Sequence, residues 1–333
     1  MLKRLRYRNR VTDPQKSHTM TVSATNEYRK QLEKEPIAGS TKSAGNLALD
    51  ALDSEQMARK AIEFALLEDL GLEGDVTSNS TIPETKQATA TLIAKDHNSV
   101  ICGLAIAEMV FKTVDPGLEF NALVAEGTYI EAAPVTIATI KGNARSILTA
   151  ERTALNLMQR MSGIATSARL YAQKAKPFGI EILDTRKTAP GLRVFDKLAV
   201  RLGGGTNHRI GLYDQILIKD NHIACAGSIS KAVAAARSLY QGKRIEVETT
   251  SLSEVQEALD SSCDIIMLDN MTPAQIVSCV ELIQKKAQIE VSGGITLETL
   301  DRYLIAGVDF ISVGSLTHSV KSVDISLEVE IGI

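Results

Sequence analysis

The chain reads as an α/β protein with two parts, an N-terminal domain built round a sheet and an incomplete parallel βα barrel. Three observations predict this. In the second half, short apolar runs recur six times, each ending at a polar or glycine residue. Helical patterns lie between the later runs, and one long helical segment separates them from an earlier set of strands. Strands alternating with helices imply a parallel sheet, and six units fall short of the eight of a closed barrel.

Along the chain, residues 54–70 place Ala61, Ile62, Ala65, Leu66 and Leu70 at helical spacing, and the GLEGD segment then breaks the pattern. Residues 88–94, 99–103, 118–124 and 133–140 read as strands, with a helix at 105–114 between the second and third. A long helix is expected at about 146–176, its apolar face made by Leu155, Met158, Met161, Ile164, Ala165 and Ala168, and Pro177 closes it. The six barrel runs are 180–183, 215–218, 244–247, 264–268, 289–291 and 309–313. Helices are expected at about 228–240, 253–260, 273–286 and 297–306. The expected domains are therefore 46–150 and 151–323, with a last strand at about 324–333 rejoining the first.

Residues 1–45 differ from the rest. Lys3, Arg4, Arg6, Arg8 and Arg10 crowd the start, and a polar stretch follows. No apolar core of the secretory kind is present. A disordered extension, an upstream start with Met20 as initiator, or a transit peptide all fit this composition.

Bulk properties exclude several classes. Of 333 residues, 44% are hydrophobic and 23% charged, as in ordinary globular proteins. The formal net charge of −3 argues against a general nucleic-acid binder. No run of about 18 apolar residues is present, so no membrane span is expected. Cys102, Cys225, Cys263 and Cys279 are widely spaced, which suggests neither a disulfide framework nor a zinc site and fits a reducing cytoplasm.

The residues able to do chemistry gather at the strand ends, where βα barrels carry their sites. Between Asp184 and His222 lie Arg186, Lys187, Arg193, Lys197, Arg201, Arg209 and Lys219, with His208. Such a concentration in a slightly acidic protein is either a solvated face or a polyanion site. Arginine forks match carboxylates and phosphates, and lysine supplies point charge. The glycine-bearing runs VSGGI and SVGSLTHS follow the last two strands, where barrels often hold phosphate. Glu248 and Asp269 end neighbouring strands. They suit a Mg2+ that carries pyrophosphate, a cationic ribosyl transition state, or simple neutralisation of the basic cluster. The triple glycine at 203–205 fits neither nucleotide-binding glycine pattern and reads as a flexible or close-packed turn.

The segments EDLGLEGDVTS (68–78), AERTALNLMQRMSGIAT (150–166), DTRKTAPGLR (184–193), GGGTNHRIGLYDQILIKDNH (203–222), EVE (246–248), IIMLDN (265–270), VSGG (291–294) and GVDFISVGSLTHS (307–319) together resemble the quinolinate phosphoribosyltransferases over nearly all of 60–330. The resemblance implies an α/β sandwich domain plus an incomplete α/β barrel, assembled as a dimer or higher homo-oligomer. It implies quinolinate and phosphoribosyl pyrophosphate as substrates and Mg2+ as the metal. Arg186, Lys187, His208, Arg209 and Lys219, with Thr185, would hold the quinolinate carboxylates and part of the pyrophosphate. Glu248 and Asp269 would face the ribose and the metal. Ser292, Gly293, Gly294, Val313 and Gly314 would take the 5′-phosphate, with His318 close by. Arg152 would enter a partner subunit's site. Lys187, Lys219, Glu248 and Asp269 would be the catalytic set.

Other readings of the same residues stay open at this level. Lys187 and Lys219 at strand ends also suit a Schiff-base barrel, although so many cations predict a multiply charged ligand. A related transferase for another pyridine or azole acid, such as the molybdenum-associated paralogue, and a silent phosphate-binding barrel complete the set.

Overall fold

The computed structural model describes residues 52–330. The expectations for residues 1–45 lie outside the described residues. Helix α1 (Leu52–Leu70) buries Ala58, Ile62 and Leu66, one face at a spacing of four. It stops where Gly71 and Gly74 take positive φ. A short helix α2 (Val76–Thr81) follows, capped by the Asp75 carboxylate on the Ser78 amide.

The first sheet is antiparallel. Strand β1 (Gln87–Ala94) turns Ala88, Ala90, Leu92 and Ala94 inward, the alternation of a half-buried strand. It pairs on one side with β5 (Val135–Asn143), which in turn pairs with β3 (Glu119–Ala122). Its other side pairs with the last strand, β12 (Ile325–Glu330), so the chain's end returns to this sheet. A two-stranded ladder joins β2 (Ser99–Val100) and β4 (Tyr129–Ile130), and α3 (Leu104–Val114) lies between β2 and β3 in sequence.

Helix α4 (Ala144–Ala175) links the two parts. The Asn143 side chain caps it by accepting from the Arg145 and Ser146 amides. Its buried face carries the six apolar residues the periodicity singles out and packs on both α3 and α5 (Arg193–Leu202). Two glycines make the close packing possible. A Cβ at Gly163 would lie 2.1 Å from the Lys321 carbonyl oxygen, and one at Gly203 would lie 2.3 Å from that of Ala165. The triple glycine is thus a close-packed turn against α4.

The second sheet is parallel, in the order β6 (Glu181–Leu183), β11 (Phe310–Ser312), β10 (Gln288–Ser292), β9 (Ile265–Asp269), β8 (Ile245–Thr249), β7 (Ile216–Ile218). Consecutive strands β7 to β11 are neighbours, but β6 and β7 do not pair, so the barrel has an open seam. A single bridge from Leu183 to Thr206 partly covers it. Helices α6 (Asp220–Ala226), α7 (Ile229–Leu239), α8 (Leu252–Asp260) and α9 (Pro273–Ile283) fill the connections, and α10 (Ser315–His318) is a single turn after β11.

Two expected helices come out shorter. At 297–306 only a 3-10 turn, Leu300–Arg302, forms. The Thr296 and Thr299 side chains bond to nearby backbone there, and the Ile305 amide turns back to the Tyr303 carbonyl. The helix expected at 273–286 ends at Ile283 because Gln284 and Lys285 are left-handed. Among the described residues, no helix is long and apolar enough to cross a membrane.

Candidate active site

The C-terminal ends of the parallel strands surround a cavity of about 760 Å3. A depression of about 1010 Å3 at the opposite ends of the strands is lined by turn residues such as Arg244, Asp264 and Lys286. The convergent strand-end groups are all in the former.

The wall nearest the seam is built by a buried ion pair. Asp184, the residue after β6, is fully buried and accepts from Lys197 Nζ, from Asn207 Nδ2 at 2.6 Å and from the His208 amide at 2.9 Å. Lys197 Nζ also donates to the His208 carbonyl at 2.8 Å. Burial pushes the Asp184 carboxyl up and the Lys197 ammonium down, against the attraction each exerts on the other. The pair pins residues 206–208 beside β6 and so carries Arg209 toward Arg186. Burial and the neighbouring Arg186 guanidinium both lower Arg209 below the ordinary arginine value. Arg186 Nε is buried without a partner. Two crowded guanidinium groups with open donors suit a multiply charged anion.

The floor is histidine on carboxylates. His208 Nε2 lies 2.8 Å from Glu246 Oε2 and 3.5 Å from Glu290 Oε2. Burial disfavours its charged form, but the hydrogen bonds and charges of Glu246 and Glu290 outweigh this and push it up to about 10. The two carboxylates thus favour the charged form of the imidazole. Glu246 moves upward as well, through its own burial and the adjacent Glu290 carboxylate.

Opposite the cations, Lys219 Nζ pairs with Glu248, and Asp269 accepts from Asn270 Nδ2 at 2.6 Å. Glu248 and Asp269 end adjacent strands β8 and β9. Two carboxylates beside a lysine, with no closed cage around them, offer oxygen ligands of the kind a hard cation takes. The third wall is the glycine loops. Gly293 has φ +112°, and a Cβ there would strike Asn270 Oδ1 at 2.3 Å. Gly294 has φ +61° and open space where its Cβ would be. A Cβ at Gly314 would lie 3.2 Å from the His318 ring and 3.3 Å from Lys187 Cδ.

Comparison with known proteins gives the family of the chain. The quinolinate phosphoribosyl transferase C-terminal domain matches residues 164–328, and the N-terminal domain of the same family matches 75–162. The chain belongs to the quinolinate phosphoribosyltransferase family. An Arabidopsis thaliana protein named nicotinate-nucleotide pyrophosphorylase, carboxylating, chloroplastic, is 42% identical, the match covering 88% of this chain and 89% of the relative. A Nicotiana tabacum protein named quinolinate phosphoribosyltransferase, decarboxylating, 2b, mitochondrial, is 44% identical over 82% of each. The crystal structure of NadC from Streptococcus pyogenes superposes with a TM-score of 0.79 at 40% identity, covering 84% of this chain and 98% of that one.

Within this family fold, the cavity gathers Thr185, Arg186, Lys187, His208, Arg209, Lys219, Glu248, Asp269, Ser292, Gly293, Gly294, Gly314 and His318 from the sequence-derived set. Two members lie elsewhere. Val313 is buried in the core and its amide is bonded to the Leu183 carbonyl, so neither its side chain nor its N–H is available to a phosphate. Arg152 lies on α4 outside the cavity, largely exposed and 3.6 Å from Glu151. Part of the basic cluster is also structural. Lys197 belongs to the Asp184 pair, Arg193 bonds Thr188 Oγ1 and the Ile210 carbonyl, and His222 caps α6 by accepting from the Lys219 amide.

Sequence reasoning missed Leu217, Met267, Glu290 and Ser312, all of which line the cavity. Each stands two residues before a residue that was found, Lys219, Asp269, Ser292 and Gly314 respectively. A strand repeats its facing every second residue, so this signal was present in the sequence.

Proposed function

We infer that this chain joins quinolinate to phosphoribosyl pyrophosphate, releasing CO2 and pyrophosphate and forming nicotinate mononucleotide. The observation that carries the reading is the cavity itself, at the barrel mouth of a member of this family. Arg186, Arg209 and His208 line one cavity together with Glu248, Asp269 and the glycine loops. The cations suit the two ring carboxylates, and the glycine loops suit the 5′-phosphate. In the reaction the pyridine nitrogen attacks ribose C1 as pyrophosphate departs. Positive charge developing on the ribose faces the Glu248 and Asp269 carboxylates. The resulting pyridinium charge then stabilises the in-plane electron pair left at ring C2 when CO2 leaves, and a proton from solvent adds there to complete the product.

Three finer points are part of the proposal. Glu248 and Asp269 would hold Mg2+, which when bound supplies neutralising charge for the departing pyrophosphate. The chain would work as a homodimer or higher homo-oligomer with Arg152 completing a partner's site, which accords with its exposure on α4. The compartment would be the cytoplasm, in keeping with four free cysteines; imaging of the full-length chain tagged at its C-terminus tests this, and targeting to an organelle would overturn it.

The activity is tested by assaying nicotinate mononucleotide formation from quinolinate, phosphoribosyl pyrophosphate and Mg2+. Nicotinate, which lacks the second carboxylate, is expected to be a very poor substrate. Equal turnover of nicotinate and quinolinate would sink the reading.

A further inference from the structure

Strand positions facing a barrel interior are ordinarily filled by branched apolar side chains. Here β8 and β10 each place a glutamate there. Glu246 and Glu290 are fully buried and stand one pleat below Glu248 and Ser292. Two carboxylates in a core are costly unless something nearby needs them.

Their partners are few. Glu246 Oε2 accepts from His208 Nε2 at 2.8 Å and from Gln215 Nε2 at 2.7 Å, while Oε1 is buried with no partner. Glu290 Oε1 accepts from Ser312 Oγ, while Oε2 is buried without a hydrogen bond, 3.5 Å from His208 Nε2. No lysine or arginine forms an ion pair with either glutamate among those found in the described residues, and the imidazole is the cationic group both of them meet. The ring is held on one edge only. Its Nδ1 makes no hydrogen bond among the described residues, and the ring lines the cavity beside Arg186 and Arg209.

We propose that Glu246 and Glu290 are positioning residues for quinolinate, fixing His208 through Nε2 so that Nδ1 serves as a hydrogen-bond donor to a ring carboxylate. The chemistry requires both glutamates below and the substrate above. A neutral imidazole donating Nε2–H to Glu246 would present a bare Nδ1 lone pair and repel a carboxylate. An imidazolium donates from both nitrogens, and two carboxylates beneath it favour that form. The upward shift of His208 accords with this geometry. Among the described residues neither glutamate side chain is hydrogen-bonded to the glycine loops that suit the phosphate, so the larger effect falls on quinolinate.

The inference rests on the proposed function, and a double-mutant cycle separates the two. E246Q and E290Q keep the shape and remove charge. Each is expected to raise the KM for quinolinate about tenfold, as for loss of a hydrogen bond to a charged group, and to leave that for phosphoribosyl pyrophosphate within about twofold. In an H208A background the further change E246Q, or E290Q, is expected to alter the quinolinate KM little, since both act through the ring that is already gone. Thermal melts confirm that each variant is folded, and the two glutamates provide independent routes should one fail. Additive effects in the H208A background, or equal changes in both KM values, would overturn the inference while leaving the function standing. A stoichiometric metal bound at His208, Glu246 and Glu290 in the purified chain would also overturn it. An unsubstituted chain that does not bind quinolinate would overturn both readings.

Discussion

Thr317 Oγ1 lies 2.9 Å from the Lys187 carbonyl oxygen and donates to it. This hydrogen bond ties the turn after the last barrel strand to the loop after the first. Behind it, Arg160 clamps the Thr317 carbonyl at 3.0 Å while forming a bidentate pair with the buried Asp196. The cation Lys187 and the glycine loop at Gly314 thus share one support, which spans the join between β11 and β6.

Thr317→Val tests that support. The isosteric change removes the donor and leaves the Lys187 carbonyl unpaired, at a cost of about 1 kcal/mol in stability. Because the bond holds Lys187 against the Gly314 loop proposed for the 5′-phosphate, the KM for phosphoribosyl pyrophosphate should rise several-fold, and that for quinolinate should rise too, since Arg186 lies on the same loop. Steady-state kinetics with each substrate varied in turn checks this. Unchanged kinetics would mean that the loops hold their places without the bond.

The raised His208 value makes a pH prediction. Quinolinate binding should weaken as pH rises toward 10, where His208 loses its charge, and a smaller change near pH 7 belongs to Glu246, whose carboxyl is pushed up to about 7 by burial and by Glu290. The same shift links to stability. Between pH 6.5 and 10 the native state holds a proton that the unfolded chain has released, so stability is complete below 6.5 and falls as pH rises through 10. Melting temperature across this range, for the unsubstituted chain and for His208→Gln, isolates the contribution. A quinolinate KM that stays flat as pH rises through 10 would contradict it.

The paired carboxylates predict metal dependence. Asp269→Asn and Glu248→Gln should each lower turnover strongly with the fold intact, and activity should require Mg2+ or a similar hard cation. Full activity in excess EDTA would contradict the assignment. Glu248→Gln also leaves Lys219 without its ion-pair partner. Asp269→Asn, whose carboxylate bonds only Asn270 among the described residues, is therefore the cleaner probe.

Arg152 predicts subunit complementation. Among the described residues its ion pair is a largely exposed one with Glu151, which contributes little. Arg152→Ala and Lys219→Ala should each be folded and nearly inactive. Subunits mixed and reassembled should recover about a quarter of the sites, because half the dimers are mixed and each of those has one intact site. A mixture with confirmed exchange that stays as inactive as its parents would assign Arg152 to its own chain or to a structural role.

The strands, the long α4 and the polar strand ends were legible because they are periodic. Met158, Met161 and Ala165 mark a helical face, and Ala90 and Leu92 mark a strand face, whatever lies opposite. The helix at 297–306 was misread because Thr296 and Thr299 turn their hydroxyls on the backbone, an effect that hydrophobic spacing does not register. Helices α5 and α6 lie inside the basic cluster, where Arg193, Lys197 and Arg201 interrupt the helical apolar pattern of Phe195, Ala199 and Leu202.

By itself, the sequence determined the alternation of strands and helices, the strand ends that carry chemistry, and the family they resemble. All of these follow from neighbours along the chain and from residue identity. Only the tertiary structure decided which charges serve the substrate and which serve the fold. Lys197 and Lys219 look alike in sequence, yet one is buried on Asp184 and the other faces the cavity beside Glu248. Glu246 and Glu290 lie on strands separated by β9, and only barrel curvature brings both beneath His208. Local pattern fixes the side of an element on which a residue lies. The partner across the core depends on how strands and helices are packed together, and burial then decides whether a charge is solvated, paired or held ready for a ligand.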